Sequence, residues 1–132
     1  MQALILRVLV VDDSEIVRRA ICQILQSQAD IEVVCEAADG ADAVRKVREH
    51  RPHVVLLDIT MPLMNGFEAT RRIKHEFPLI LILIVSQSDS APFAREAIAA
   101  GASGYVVKSN ASTELIPMLR KAIFQHGRLM TK

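Results

Sequence analysis

The chain has 132 residues, and domains peak at roughly 100–150, so one domain is expected. Hydrophobic residues are 51% and charged residues 23%, a globular balance that excludes intrinsic disorder. Lys plus Arg number 16 against 15 Asp plus Glu, a net charge of +1, which argues against a nucleic-acid binder carried by bulk positive charge. The longest wholly apolar run, Leu79 to Val85, is seven residues against the roughly 20 needed to span a bilayer. Arg7 interrupts the N-terminal apolar stretch and no basic segment precedes it, so a signal peptide is not expected. Cys22 and Cys35 lie in apolar stretches and read as buried thiols in a reducing compartment. The expectation is a cytoplasmic domain without a membrane partner.

In chain order, short β-branched runs alternate with segments of helical spacing. Arg7–Val11 is the first strand, followed by a helix on the stripe Ile16, Ala20, Ile21, Ile24 and Leu25, with Ser14 as its N-cap. Ile31–Cys35 is a second, more polar strand suited to a sheet edge, and Ala43, Val44 and Val47 mark the helix after it, stopped by Pro52. His53–Leu57 leads to a helix on Phe67, Thr70, Ile73 and Phe77, stopped by Pro78. Leu79–Val85 leads to a helix on Ala94, Ala97 and Ile98, stopped by Gly101. Gly104–Val107 leads to a fifth helix on Leu115, Leu119, Ile123 and Phe124, with Ser112 as N-cap and Gly127 as stop. Pro117 inside that helix predicts a kink or a late start. Strictly alternating βα units predict a doubly wound α/β fold, a parallel sheet with helices on both faces.

Polar residues follow the apolar runs. The first ends in Asp12-Asp13, the third in Asp58, the fourth in Ser86 and the fifth in Lys108. All strand C-termini of a parallel sheet share one edge, where ligands bind at the topological switch point. In a flavodoxin-like order 2-1-3-4-5 the first and third strands are neighbours, so Asp12, Asp13 and Asp58 should meet. Three carboxylates in one crevice need about three positive charges to offset them, or one carboxyl must take up a proton. Mg2+ supplies two and suits oxygen ligands, and Lys108 supplies the third. A carboxylate, Mg2+, a lysine and a hydroxyl are the parts of a phosphoryl-transfer site.

These motifs resemble the receiver domain of bacterial two-component response regulators. The matching stretches are Val10-Val11-Asp12-Asp13-Ser14, Leu56-Leu57-Asp58-Ile59-Thr60-Met61-Pro62 with Gly66, Ser86, and Gly101-Ala102-Ser103-Gly104-Tyr105-Val106-Val107-Lys108. The last is also similar to the subfamily that carries a LuxR-type helix-turn-helix output domain. The resemblance implies a single receiver domain over residues 1–132, with its core at about 5–126. It implies that Asp58 accepts a phosphoryl group from a sensor histidine kinase. It further implies that Asp13 and Asp58, with the backbone carbonyl of Thr60, bind Mg2+, and that Asp12 acts partly through water. Lys108 would reach a phosphoryl oxygen. Ser86 and Tyr105 would be the switch residues that move the face of helix 4, strand 5 and helix 5, onto which a partner or a second copy of the chain docks.

On this resemblance the domain is no enzyme beyond assisting its own phosphorylation and dephosphorylation. Its output is expected to be transcription, through a DNA-binding domain outside this chain; the alternative is a free-standing receiver acting by protein–protein contact. Ser109 stands after Lys108 where many receivers have proline, and Thr60 and Ser88 occupy positions that tune phosphoryl lifetime in the family. Two other functions fit less well. A haloacid-dehalogenase-type phosphohydrolase needs its second Asp two residues after the first, and position 14 is Ser. A flavodoxin-like FMN module needs a phosphate loop after strand 1, where Asp13 and Glu15 would repel phosphate. His50, His53, His75 and His126 show no metal-ligand spacing.

Overall fold

A computed structural model describes residues 4–61 and 64–130, with the side chains of residues 127–130 left aside. Five strands, β1 (Leu6–Val11), β2 (Ile31–Ala37), β3 (Val54–Leu57), β4 (Leu81–Ser86) and β5 (Gly104–Val107), form one parallel sheet in the order β2-β1-β3-β4-β5. The helices are α1 (Glu15–Gln26), α2 (Gly40–His50), α3 (Gly66–Glu76), α4 (Ala91–Ala100) and α5 (Ala111–Met130). This is the flavodoxin-like fold expected from the alternation, with β2 at an edge.

The unbroken apolar runs have a simple cause: both faces of the sheet are covered. Val8, Val10, Val54, Leu56, Leu83 and Val106 pack with Ile21, Cys22 and Leu25 of α1 and Leu115 and Leu119 of α5. Their alternates Leu9, Val11, Val55, Leu57, Ile82 and Ile84 pack with Val44 and Val47 of α2, Phe67 and Ile73 of α3 and Ala97 of α4. Each large side chain buried this way contributes roughly 1.5–3 kcal/mol.

Helix starts follow the capping rules. The Ser14 hydroxyl accepts from the Val17 N–H of α1, as predicted, and Asp39, Asn65 and Ser90 do the same for α2, α3 and α4. Gly101 closes α4 in the left-handed region at φ 113°, where a Cβ is disfavoured.

Several expectations are corrected. β4 begins at Leu81, because the chain turns at Pro78–Ile80, where the Ile80 N–H bonds the Phe77 carbonyl, and Leu79 is left 60% exposed. Ser86 is the last residue of β4, not the residue after it. Ser112 does not cap α5, since a 3-10 turn over Lys108–Asn110 runs directly into the helix at Ala111. The helix does not start late, either: Pro117 lies inside it and has no N–H for the Thr113 carbonyl. Gly127 does not stop α5, for among the described glycines only Gly101 takes a positive φ. Ile16, Ala20, Ile98 and Phe124, placed on buried stripes, are exposed, and Cys35 is only partly buried while Cys22 is buried. Pro62 lies outside the described residues.

Gly66 lets α3 press against the end of β3. A Cβ built there would lie 2.2 Å from the Asp58 carbonyl oxygen and 2.7 Å from the Ile59 Cα, both backbone atoms that cannot swing aside. Gly66→Ala is expected to destabilise the domain by about 1–3 kcal/mol, the usual cost of overpacking. A urea melt that superposes on wild type overturns this.

Candidate functional site

The site is assembled by register. Val11 pairs with Leu57 across β1 and β3, so the next residues, Asp12 and Asp58, emerge side by side. Two backbone bonds continue the ladder past the strands: Asp58 N–H to the Val11 carbonyl at 3.0 Å, and Asp12 N–H to the Ala37 carbonyl at 3.1 Å. One carboxylate oxygen from each of Asp12, Asp13 and Asp58 lies within 4.8 Å of the others, which brings together the three acidic residues predicted to meet. Asp12 is 1% exposed and Asp58 5%, while Asp13 is open to solvent.

Lys108 arrives from the end of β5. Its ammonium lies 2.7 Å from Asp12 Oδ2 and 3.4 Å from Asp58 Oδ2. The Lys108 ammonium is the one partner of Asp12 Oδ2, a buried oxygen with no other donor among the described residues. The other Asp12 oxygen, Oδ1, accepts from the Ser14 N–H at 2.9 Å. Three carboxylates against one ammonium leave two formal negative charges, the charge of one divalent ion. Three clustered carboxylates that one ammonium cannot neutralise, offering only oxygen ligands, suit a hard cation such as Mg2+.

The electrostatics follow from this crowding. Burial, and then repulsion from Asp12, push the Asp58 carboxyl above its ordinary value; Lys108 and the Thr60 backbone N–H pull the other way and do not fully offset them. Burial alone would lower the Lys108 ammonium, but its contacts with Asp12 and Asp58 outweigh burial and raise it.

Ser86 is buried at the end of β4 and bonds no carboxylate among the described contacts. Its hydroxyl instead accepts from the Ser88 N–H at 3.2 Å. The Ser88 hydroxyl accepts from the Ser90 N–H at 3.1 Å, and the Ser90 hydroxyl caps α4 through the Phe93 N–H at 3.4 Å. The Tyr105 hydroxyl donates to the Ser88 carbonyl at 2.7 Å. Tyr105 is thus joined to Ser86 through Ser88 and does not touch the carboxylates. The sequence marks these serines singly; the alternation Ser86, Ser88, Ser90 is the signal that could have revealed the chain of bonds.

The model of the response regulator receiver domain matches residues 8–120. The chain belongs to this family. Receiver domains are signalling domains that bind Mg2+ at an acidic pocket, interact with kinases and in some cases dimerise. The oxygen regulatory protein NreC of Staphylococcus epidermidis is 39% identical over 116 residues, covering 87% of this chain and 53% of that protein. A LuxR-family two-component response regulator from Aurantimonas sp. SI85-9A1 superposes with a TM-score of 0.85 at 38% identity, covering 89% of this chain and 84% of that one. A chain of the CheX-CheY-BeF3-Mg2+ complex from Borrelia burgdorferi gives a TM-score of 0.86 at 26% identity, covering 91% and 90%. The receiver spans about half the length of the curated relatives it matches, among them transcription regulators. No helix among the described residues is long and apolar enough to cross a membrane.

The raised Asp58 carboxyl carries a sign for stability. Because the folded state favours its protonated form, ionising it costs stability as pH rises above the unfolded carboxylate value of 3.8. Like charges about 4 Å apart repel by about 4 kcal/mol at an effective dielectric of 20, and Lys108 offsets part of this. Asp58→Asn is therefore expected to raise the melting temperature at pH 7 in chelator by roughly 4 °C, the response to about 1 kcal/mol. The gain should shrink as pH falls toward 3.8, because the raised wild-type carboxyl takes up its proton before that value is reached; a variant that melts lower than wild type at pH 7 contradicts the assignment.

Proposed function

We propose that this receiver, spanning residues 1–132 with a core at about 5–126, accepts a phosphoryl group on Asp58 from the phosphohistidine of a sensor histidine kinase. The observation that carries the reading is the meeting of three carboxylates with the Lys108 ammonium at one edge of the sheet. A carboxylate oxygen of Asp58 forms a bond to phosphorus, the bond from phosphorus to the kinase imidazole breaks, and an acyl phosphate results. Asp12, Asp13 and Asp58, with the Thr60 backbone carbonyl, would hold Mg2+. Bound there, Mg2+ neutralises carboxylate and phosphoryl oxygens. Lys108 already reaches toward Asp58 and pairs with the added phosphoryl oxygens.

Ser86 donates its O–H to the phosphoryl group, and the side-chain rotation that aims it there draws Oγ away from the Ser88 N–H. Ser88 also anchors Tyr105, so both switch residues respond together and shift the face of α4, β5 and α5. That face then engages a second copy of the chain or an output partner. The length of the relatives and the LuxR-family neighbour support transcriptional output through a DNA-binding domain elsewhere in the protein. The place of action is the cytoplasm, and the domain turns over no substrate but its own phosphoryl group.

Acetyl phosphate with Mg2+ is expected to add one phosphoryl group to wild type by intact mass, and none to Asp58→Asn. Asp13→Ala should weaken Mg2+ binding by more than the 10–100-fold typical of supporting residues and block the modification as chelator does. Lys108→Ala should keep Mg2+ binding but lose the shifts in α4 and β5 amide resonances on adding beryllofluoride. Equal labelling of Asp58→Asn sinks the proposal.

A further inference from the structure

We infer that Arg18 is a positioning residue for the metal pocket, fixing the peptide that joins Asp12 to Asp13. The inference rests on the receiver reading above and adds to it a side chain outside the carboxylate cluster.

Arg18 lies in the first turns of α1, yet its guanidinium points back under the helix. Nη1 donates to the Asp12 carbonyl at 2.7 Å, and Nε donates to Glu36 Oε1, at the end of β2, at 3.1 Å. Its side chain is only 17% exposed. The Asp12 carbonyl belongs to the peptide plane whose nitrogen is that of Asp13. Rotating this plane re-aims both carboxylates.

The restraints on Asp12 form a closed ring. Asp12 Oδ1 accepts the Ser14 N–H at 2.9 Å, the Ser14 carbonyl accepts the Arg18 N–H at 2.9 Å, and the Arg18 guanidinium returns to the Asp12 carbonyl. Arg18 is the one side-chain donor in that ring. The Asp12 N–H is held separately by the Ala37 carbonyl, one residue beyond Glu36. Only Oδ2 is then left to face the cluster. A planar guanidinium can hold a carbonyl and a carboxylate at once in fixed directions. Arg19 is the contrast: 74% exposed and paired with Glu15 one turn away, it is an ordinary surface ion pair worth little.

The sign of the effect on Mg2+ separates positioning from simple charge. Removing a positive charge beside an acidic pocket should by itself tighten cation binding. Removing a positioning donor should weaken it. Arg18→Met keeps the aliphatic stem and deletes the donors, and Arg19→Met removes the same charge without touching Asp12. By calorimetric titration, Arg18→Met is expected to weaken Mg2+ binding about 10–100-fold, the usual effect of losing a residue that orients a metal ligand. Arg19→Met should bind as wild type or slightly tighter. In metal-free protein the Asp13 amide resonance should move in Arg18→Met and stay in place in Arg19→Met.

Mg2+ binding by Arg18→Met equal to or tighter than wild type, or an unmoved Asp13 amide, overturns the inference. If Arg18→Met does not fold, Arg18→Lys replaces it and is read by the same amide: movement supports the role, a wild-type position refutes it. If wild type itself fails to bind Mg2+, the metal reading of the pocket falls, while the metal-free Asp13 amide still decides the role of Arg18.

Discussion

Like charge held against its own repulsion is the constraint on which the rest of the structure depends. Two of the three carboxylates are almost wholly buried, yet they lie beside each other and beside a third. Such an arrangement does not persist unless the backbone over-determines it. Here it does. Asp12 and Asp58 extend strands whose neighbours on both sides are already bonded, and Gly66 removes the side chain that would push α3 away from Asp58. The core supplies the rigidity: Leu9, Leu56, Leu57 and Ile82 have essentially no exposure, so the strand ends cannot spread to relieve the crowding. The unrelieved negative charge is what a divalent cation can offset.

A parallel sheet is an economical way to create this situation. Every strand delivers its last residue to the same edge, so residues 46 positions apart, such as Asp12 and Asp58, become neighbours through register alone. Lys108 is delivered by the far edge strand β5 and still reaches both carboxylates, because its four-carbon stem crosses the end of the sheet. The compensating charge therefore belongs to a different element from the acids, and any shift of β5 or the turn after it changes the electrostatics of Asp58.

The alternating strands and helices were legible in the sequence from periodicity, while the strand order, and with it the meeting of Asp12, Asp13 and Asp58, came from the flavodoxin-like pattern that the motifs resemble. An apolar run with no polar alternation must be covered on two faces, and what stands after it must lie at the edge. Helix ends were less legible. Gly127 looked like a stop, but glycine ends a helix only where the chain takes a left-handed turn, and α5 continues through it. Leu79 and Ile80 looked like strand, but the turn after Pro78 outweighs β propensity there. The serine chain left only a faint sign in the alternation Ser86, Ser88, Ser90, and the Arg18 tether left none. Each depends on hydrogen bonds to backbone carbonyls or amides, and nothing in a sequence marks which carbonyl a guanidinium or hydroxyl will find.

The same sheet edge carries a rigid half and a loose half. α3 buries Phe67, Ala69, Thr70 and Ile73, and the Thr70 hydroxyl bonds the Gly66 carbonyl at 2.7 Å. α4 buries only Ala97 and Ala100, and leaves Phe93 at 40% and Ile98 at 54% exposure. Its N-terminus is fastened by the serine chain and by the edge-on contact of Phe93 with Phe67, 6.0 Å between centroids. Few apolar contacts mean a low free energy for displacement, so a change at Ser86 has little packing to overcome before it reaches α4. On the proposed reading, turning the Ser86 hydroxyl toward a phosphoryl group loosens the first bond of the serine chain that holds α4, whereas releasing α3 would mean opening the core. On the proposed reading this asymmetry directs a change at Asp58 toward α4 and β5 and away from α2 and α3.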